Sequence, residues 1–222
     1  MHDTAGAYEF DVLIAGAGPG GALMARDLAR AGFSVGLFDD AGEDTLGKRI
    51  IIEIENAVFP KTGVAFPAGD EVPYHARRVQ IFSCRRRRVF TIEGEFPAVS
   101  VYLDCFSRKL LGEAVAAGAK FHGGHKAVEP IIESGVVKGA VFETGGSRRE
   151  VRAKITVDAT GFSAALVRGL PEDMGIEFPD RKSDVVLAEN RFHEIDEPAA
   201  REAVSQGRDG DEEVWNRLSV HG

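Results

Sequence analysis

The chain has 222 residues, 44% hydrophobic and 28% charged, with a formal charge of −8. That is an ordinary globular composition with material for one large domain or two small ones. The acidic balance excludes nucleic acid as a partner, because phosphate binding needs a basic surface. Two cysteines, Cys84 and Cys105, have neither metal nor CxxC spacing, and such sparse usage fits a reducing compartment. No apolar run reaches the length of a bilayer span, and MHDTAGAYEF lacks the basic and apolar parts of a secretion signal. The expectation is a cytoplasmic protein without a transmembrane segment; peripheral membrane contact and oligomeric state are not legible.

Phe10 to Ala15 is a short apolar run of the kind that forms a strand buried on both faces. Gly16-Ala-Gly18-Pro19-Gly20-Gly21 follows, then a segment with Leu23, Ala25, Leu28, Ala29 and Ala31 at helical spacing, stopped by Gly32. Val35 to Phe38 is a second strand, and it ends in Asp39-Asp40. The glycine spacing has a mechanism. Gly16 allows a tight turn, Gly18 lets a pyrophosphate approach the backbone, and Gly21 lets helix and strand pack closely. The helix N-terminus offers unpaired N–H groups to an anion. Asp39 stands where a carboxylate accepts ribose hydroxyls, with Asp40 its neighbour. An acid at this point argues against a 2′-phosphate, and so against NADP here.

Residues 40–73 are less regular: AGEDTLGK reads as a loop and IIIEIENAVF as a strand or a short helix. Lys48 and Arg49 suit either an exposed loop pair or cofactor phosphates. VQIF and VFTIEGEF predict a hairpin, with Arg85 to Arg88 at its turn or along one strand, as a solvated run or an anion site. Phe106, Leu110, Leu111, Ala114 and Val115 predict one apolar face of a helix from Phe106 that Gly118 ends. Lys120 to His122 is the next strand, and His122 with His125 reads as a loop pair rather than a metal site. Three strands follow, turning at Ser134-Gly135 and Gly145-Gly146-Ser147, and the last runs as a buried strand from Ile155 to Val157 into Asp158-Ala-Thr-Gly161. Beyond Phe162, Val185 to Ala188 reads as a strand, Glu197 to Ser205 as a helix and GRDGDEE as a loop.

Together, GAGPGG after a strand, Asp39, the helix FSRKLLGEAVAAGA, the β meander and VDATG resemble the N-terminal half of FAD-dependent oxidoreductases of the geranylgeranyl-reductase and aromatic-hydroxylase type, over about residues 9–167. The resemblance implies an α/β fold: a Rossmann-like FAD domain from residues 1–60 and 101–167, and a partial β-rich substrate domain from 61–100 and 168–222. It implies FAD as cofactor, NAD(P)H as a compatible electron donor, and a small hydrophobic or aromatic substrate. Gly16, Gly18, Pro19, Gly20 and Gly21 would cradle the pyrophosphate, Asp39 the ribose, and the Asp158–Gly161 turn would pack against the cofactor. No catalytic base is nominated. Three departures stand out. Leu103 replaces an arginine three residues before the helix-opening phenylalanine of many relatives. GKRIII replaces a cysteine-glycine turn of geranylgeranyl reductases. The later Gly-Asp strand has one candidate, Gly210-Asp211, which reads as a loop, so the chain is expected to stop before that motif. An NAD-dependent dehydrogenase and a nucleotide-binding module without turnover are the alternatives.

Overall fold

The computed structural model describes residues 8–73, 78–82, 89–94 and 97–176, with the strands 78–82 and 89–93 described by backbone alone. All of these lie in one compact unit, Met1–Phe178. The run Arg85–Arg88, Cys84, Gly210-Asp211 and the elements expected after residue 176 lie outside the described residues.

Strand β1 (Phe10–Ala15), helix α1 (Pro19–Arg30) and strand β2 (Val35–Phe38) follow the expected order. The ambiguous segment after them holds both candidates, strand β3 (Ile51–Glu55) and a one-turn helix α2 (Val58–Thr62). Strands β4 (Arg78–Phe82) and β5 (Val89–Glu93) form the expected antiparallel hairpin, Arg78 opposite Glu93. Then come β6 (Ala98–Tyr102), α3 (Leu103–Ala116), β7 (Lys120–His122) and the meander β8 (Lys126–Glu133), β9 (Val136–Thr144) and β10 (Ser147–Asp158). Both meander turns carry positive φ at their two central residues, as twist-matched two-residue hairpins require.

Six strands form the main sheet in the order β7-β2-β1-β10-β9-β8. The first four are mutually parallel, whereas β9 and β8 add antiparallel edges. β10 serves both halves: Ser147 to Arg152 pair with β9, and Ala153 to Asp158 pair with β1. Two short sheets, β3–β6 and β4–β5, complete the β structure of the described residues.

Because side chains alternate along a strand, β1 feeds two cores. Val12 and Ile14 join Leu37, Phe106, Leu110 and Leu111 on the face that α1 and α3 cover. Leu13 and Ala15 join Phe38, Phe142 and Val151 on the other. Three expectations shift, one boundary and two side chains. α3 begins at Leu103, three residues early, because Tyr102 still pairs with Ile51 and the Leu103 N–H donates to the Ile50 carbonyl. Val115 is half exposed, one step beyond the buried stripe that ends at Ala114. Ile155 is 58% exposed, where β10 has outrun its pairing with β9.

The face of α1 that meets the core is small, with Gly21, Ala22 and Ala25 buried, and beside them Arg26 at 1% exposure. Its guanidinium donates to Glu113 of α3 at 2.8 Å, to Asp27 at 2.8 Å and to the Thr62 carbonyl that ends α2. One buried cation thus ties three helices. No helix among the described residues is long and apolar enough to cross a membrane. Removing one partner of a buried charge set costs about 3–5 kcal/mol, so Arg26→Ala should lower stability by that order in urea unfolding. A loss below about 1 kcal/mol, the range of exposed pairs, would show that solvent already carries these charges.

Candidate functional site

β1, β2 and β10 end side by side at Ala15, Phe38 and Asp158, and a cleft of about 690 Å³ lies beyond these carboxyl ends. Ligands of open α/β sheets bind in this position. Gly16 turns the chain with φ of 106°, and a Cβ there would stand 2.2 Å from the Ala159 carbonyl oxygen. A Cβ on Gly21 would stand 1.9 Å from the Gly16 oxygen. The protein's own packing therefore demands both glycines. Gly18 differs. Its φ of −60° suits any residue, and a Cβ there would meet nothing within 4 Å. It caps α1 without a side chain, Pro19 follows at the first helical position, and the first turn holds no acid. Gly18 and Pro19 line the cleft. They set an uncapped helix N-terminus at its edge, open to an anion.

Asp39 follows β2 and is fixed through its backbone. Its N–H donates to the His122 carbonyl at 3.1 Å, and its carbonyl accepts from the His125 N–H at 2.7 Å. The carboxylate accepts one N–H on each oxygen, from Ala17 at 2.6 Å and Ala41 at 2.8 Å. Each oxygen keeps a lone pair for a further donor. Burial pushes this carboxyl above its ordinary value of 3.8, the two amides draw it back, and neighbouring Asp40 raises it again, for a net rise. The fold holds a half-buried carboxylate at the cleft whose charge a ribose diol would help to satisfy.

Asp158 does the opposite. It is absent from the cleft wall, and its carboxylate is used inside its own loop. Oδ1 accepts from the Thr160 hydroxyl at 2.6 Å and the Thr160 N–H at 3.0 Å. Oδ2 accepts from the N–H groups of Leu166 at 2.8 Å and Val167 at 2.9 Å. Burial raises this carboxyl, but the Thr160 hydroxyl and the amides outweigh it and hold it below 3.8. The loop so fixed presents Ala159, Thr160 and Gly161 to the cleft.

The structure therefore gathers Gly16, Gly18, Pro19, Asp39, Asp40, Lys48 and Gly161 around one cleft, while Gly20, Gly21 and Asp158 are not part of its wall; Gly20 is exposed and Gly21 is buried. Lys48 and Arg49 part company. Lys48 lines the cleft, whereas the Arg49 guanidinium lies 3.8 Å over the Tyr102 ring and donates to Asp104. Sequence reasoning missed Lys126, a second lysine among the lining residues, and Ser107 of α3. A serine inside a helical repeat gives no signal of facing a ligand. His122 stacks on Phe38 at 4.4 Å, and burial first, then the Arg149 cation, lowers its pKa below the ordinary 6.5. Among the described residues no group of three His, Cys, Asp or Glu side chains could hold a metal.

A family model described as an FAD binding domain matches residues 9–206. The digeranylgeranylglycerophospholipid reductase of Sulfolobus acidocaldarius is 30% identical over 186 residues, covering 82% of this chain and 41% of that protein. The 1H-pyrrole-2-carbonyl-[peptidyl-carrier protein] chlorinase of Pseudomonas fluorescens is 28% identical, covering 91% of this chain and 49% of that one. Among solved structures, a geranylgeranyl bacteriochlorophyll reductase-like protein from Thermoplasma acidophilum superposes with a TM-score of 0.65 at 24% identity, covering 74% of this chain and 42% of that one. The fold is shared with that neighbour. The chain spans about two fifths of the length of the first curated relatives it matches.

Asp39→Asn would turn an NH2 group toward one of the two amide donors. It should weaken FAD binding by about 1–3 kcal/mol, the penalty of an unmade buried hydrogen bond, in a fluorescence titration. An unaltered dissociation constant would leave Asp39 without a part in binding and turn attention to Asp40. For Asp158 the folded pKa lies below the ordinary value, so its contribution is complete above pH 3.8 and is lost as pH falls through the folded value. Hydrogen exchange at Thr160, Leu166 and Val167 should lose protection in that acid window. Protection at these amides that stays level all the way down to the acid unfolding of the chain would contradict this linkage.

Proposed function

This chain belongs to the FAD binding domain family, and on that premise we propose that it is the cofactor-holding part of a flavin-dependent oxidoreductase of the geranylgeranyl-reductase type, acting on a hydrophobic isoprenoid chain. One observation carries the reading: the unobstructed Gly18 turn and the Asp39 carboxylate share one cleft. The first suits a pyrophosphate and the second a ribose diol. The residues present fit the dinucleotide. Gly16 to Gly21 hold the pyrophosphate turn, Asp39 with Asp40 the sugar, Lys48 the phosphate charge, and the Gly161 turn the opposite wall. Asp158 supports that wall from behind.

Bound flavin supplies hydride transfer, which a side chain cannot perform. The protein's residues bind it, orient it and keep water from its buried parts. The curated relatives named digeranylgeranylglycerophospholipid reductase support an isoprenoid substrate. The cofactor domain is discontinuous in this reading, residues 1–60 and 101–167, with 61–100 and 168–222 turned to substrate. In support, the six-stranded sheet takes its strands from 10–38 and 120–158. A second reading, an oxygen-using flavin enzyme acting on an aromatic ring, draws on the chlorinase match over 91% of the chain. A plain NAD-dependent dehydrogenase is disfavoured by the antiparallel β8–β9–β10 meander, where further βαβ units would continue a parallel sheet.

The purified chain should show the flavin absorption bands after addition of FAD and desalting, and dithionite should bleach them. A colourless protein would refute the cofactor assignment. Gly18→Val tests the turn itself. Because nothing in the protein lies within 4 Å of the added Cβ, the variant should still fold as the unliganded chain, at the modest cost of a poorer N-cap, yet lose FAD retention. Retained flavin would remove the pyrophosphate from this turn.

A further inference from the structure

Among the described residues, three buried polar side-chain atoms have no hydrogen-bond partner: Ser107 Oγ, His122 Nε2 and Thr156 Oγ1. Of these, only Ser107 lines the cleft. It sits in the first half of α3 at 1% exposure. A serine inside a helix ordinarily returns its hydroxyl to the carbonyl four residues back. Thr62 of α2 does so, donating to the Val58 carbonyl at 2.9 Å. Ser107 does not bond the Leu103 carbonyl in this way, although α3 offers it. A buried hydroxyl without a partner is unfavourable, and the residue that carries this one lines the cleft.

We propose that Ser107 is a cofactor-binding residue, whose hydroxyl makes a hydrogen bond to a phosphate or sugar oxygen of the bound FAD. The proposal rests on the flavin reading of the cleft. α3 gives the wall two residues, Leu103 and Ser107, one helical turn apart. Leu103 brings only carbon, so Ser107 is the polar group by which this helix meets the ligand. A neutral hydroxyl can donate to a phosphate oxygen or accept from a sugar hydroxyl. The contact therefore works without adding charge beside Asp39 and Asp40.

Ser107→Ala tests this in two measurements. In the unliganded chain, alanine removes an unsatisfied hydroxyl and is the better helix former, so the thermal midpoint should hold or rise. FAD, titrated by quenching of its fluorescence, should bind about three- to tenfold more weakly, the worth of one hydrogen bond. ADP as a second probe locates the contact. An equal loss for ADP places it in the adenosine diphosphate half, and a loss confined to FAD places it in the riboflavin half. A variant that binds FAD as tightly as the parent overturns the role of Ser107 alone. A destabilised unliganded variant overturns it too, by showing that the hydroxyl serves the fold. A parent chain that takes up no FAD overturns the flavin reading and this inference with it.

Discussion

The site depends on a crowding constraint at the ends of β1 and β10. The carbonyl of Gly16, the backbone of Ala159 and the first turn of α1 share a space that admits no Cβ at residues 16 or 21. The Ala159 N–H closes on the Ala15 carbonyl at 2.7 Å, and the Gly16 N–H on the Phe38 carbonyl at 2.7 Å. Main chain therefore touches main chain where three strands end, and α1 is drawn against the sheet with its N-terminus over the cleft. The rest of the molecule maintains that approach. Alanines keep the buried face of α1 low, and Arg26 holds the helix to α3 and α2.

Two carboxylates flank this junction and divide the labour. Asp158 is saturated by donors from its own loop, which stabilise its charge and fix the loop's shape. Asp39 receives one amide per oxygen and lies beside another acid, so its charge is under-satisfied. The first is a structural anion and the second an unfinished one. Chain position does not separate them, since each stands at the carboxyl end of a strand that pairs in parallel with β1. The donors that the following loop folds back do.

Much of this was legible in the sequence. The apolar run 10–15, the glycine spacing, helix, second strand and Asp39 all fall where periodicity and turn chemistry put them, because these are local rules. Both meander turns were readable for the same reason. The structure adds what depends on distant residues. A buried Arg26 is not predictable from a polar residue in a helix, because Glu113 and Thr62, its partners, lie far along the chain. The inward role of Asp158 depends on the loop folding back to Val167. The start of α3 at Leu103, directly after the last β3–β6 pair, is a boundary that apolar periodicity does not register. Ser107 carried no signal, since burial without a partner exists only once the fold is assembled.

The double allegiance of β10 sets an order of events as the chain folds. Its amino-terminal half closes a local hairpin with β9, while its carboxyl-terminal half must find β1, with Phe10 opposite Ala153. Local pairs form fast, and pairs between distant segments wait for a large loop to close. During synthesis, β1, α1 and β2 leave the ribosome long before residue 158 exists. The glycine turn can be built early, but the wall that faces it arrives last. A nascent chain thus carries half of the cleft, and β1 is an unpaired strand edge until β10 docks beside it.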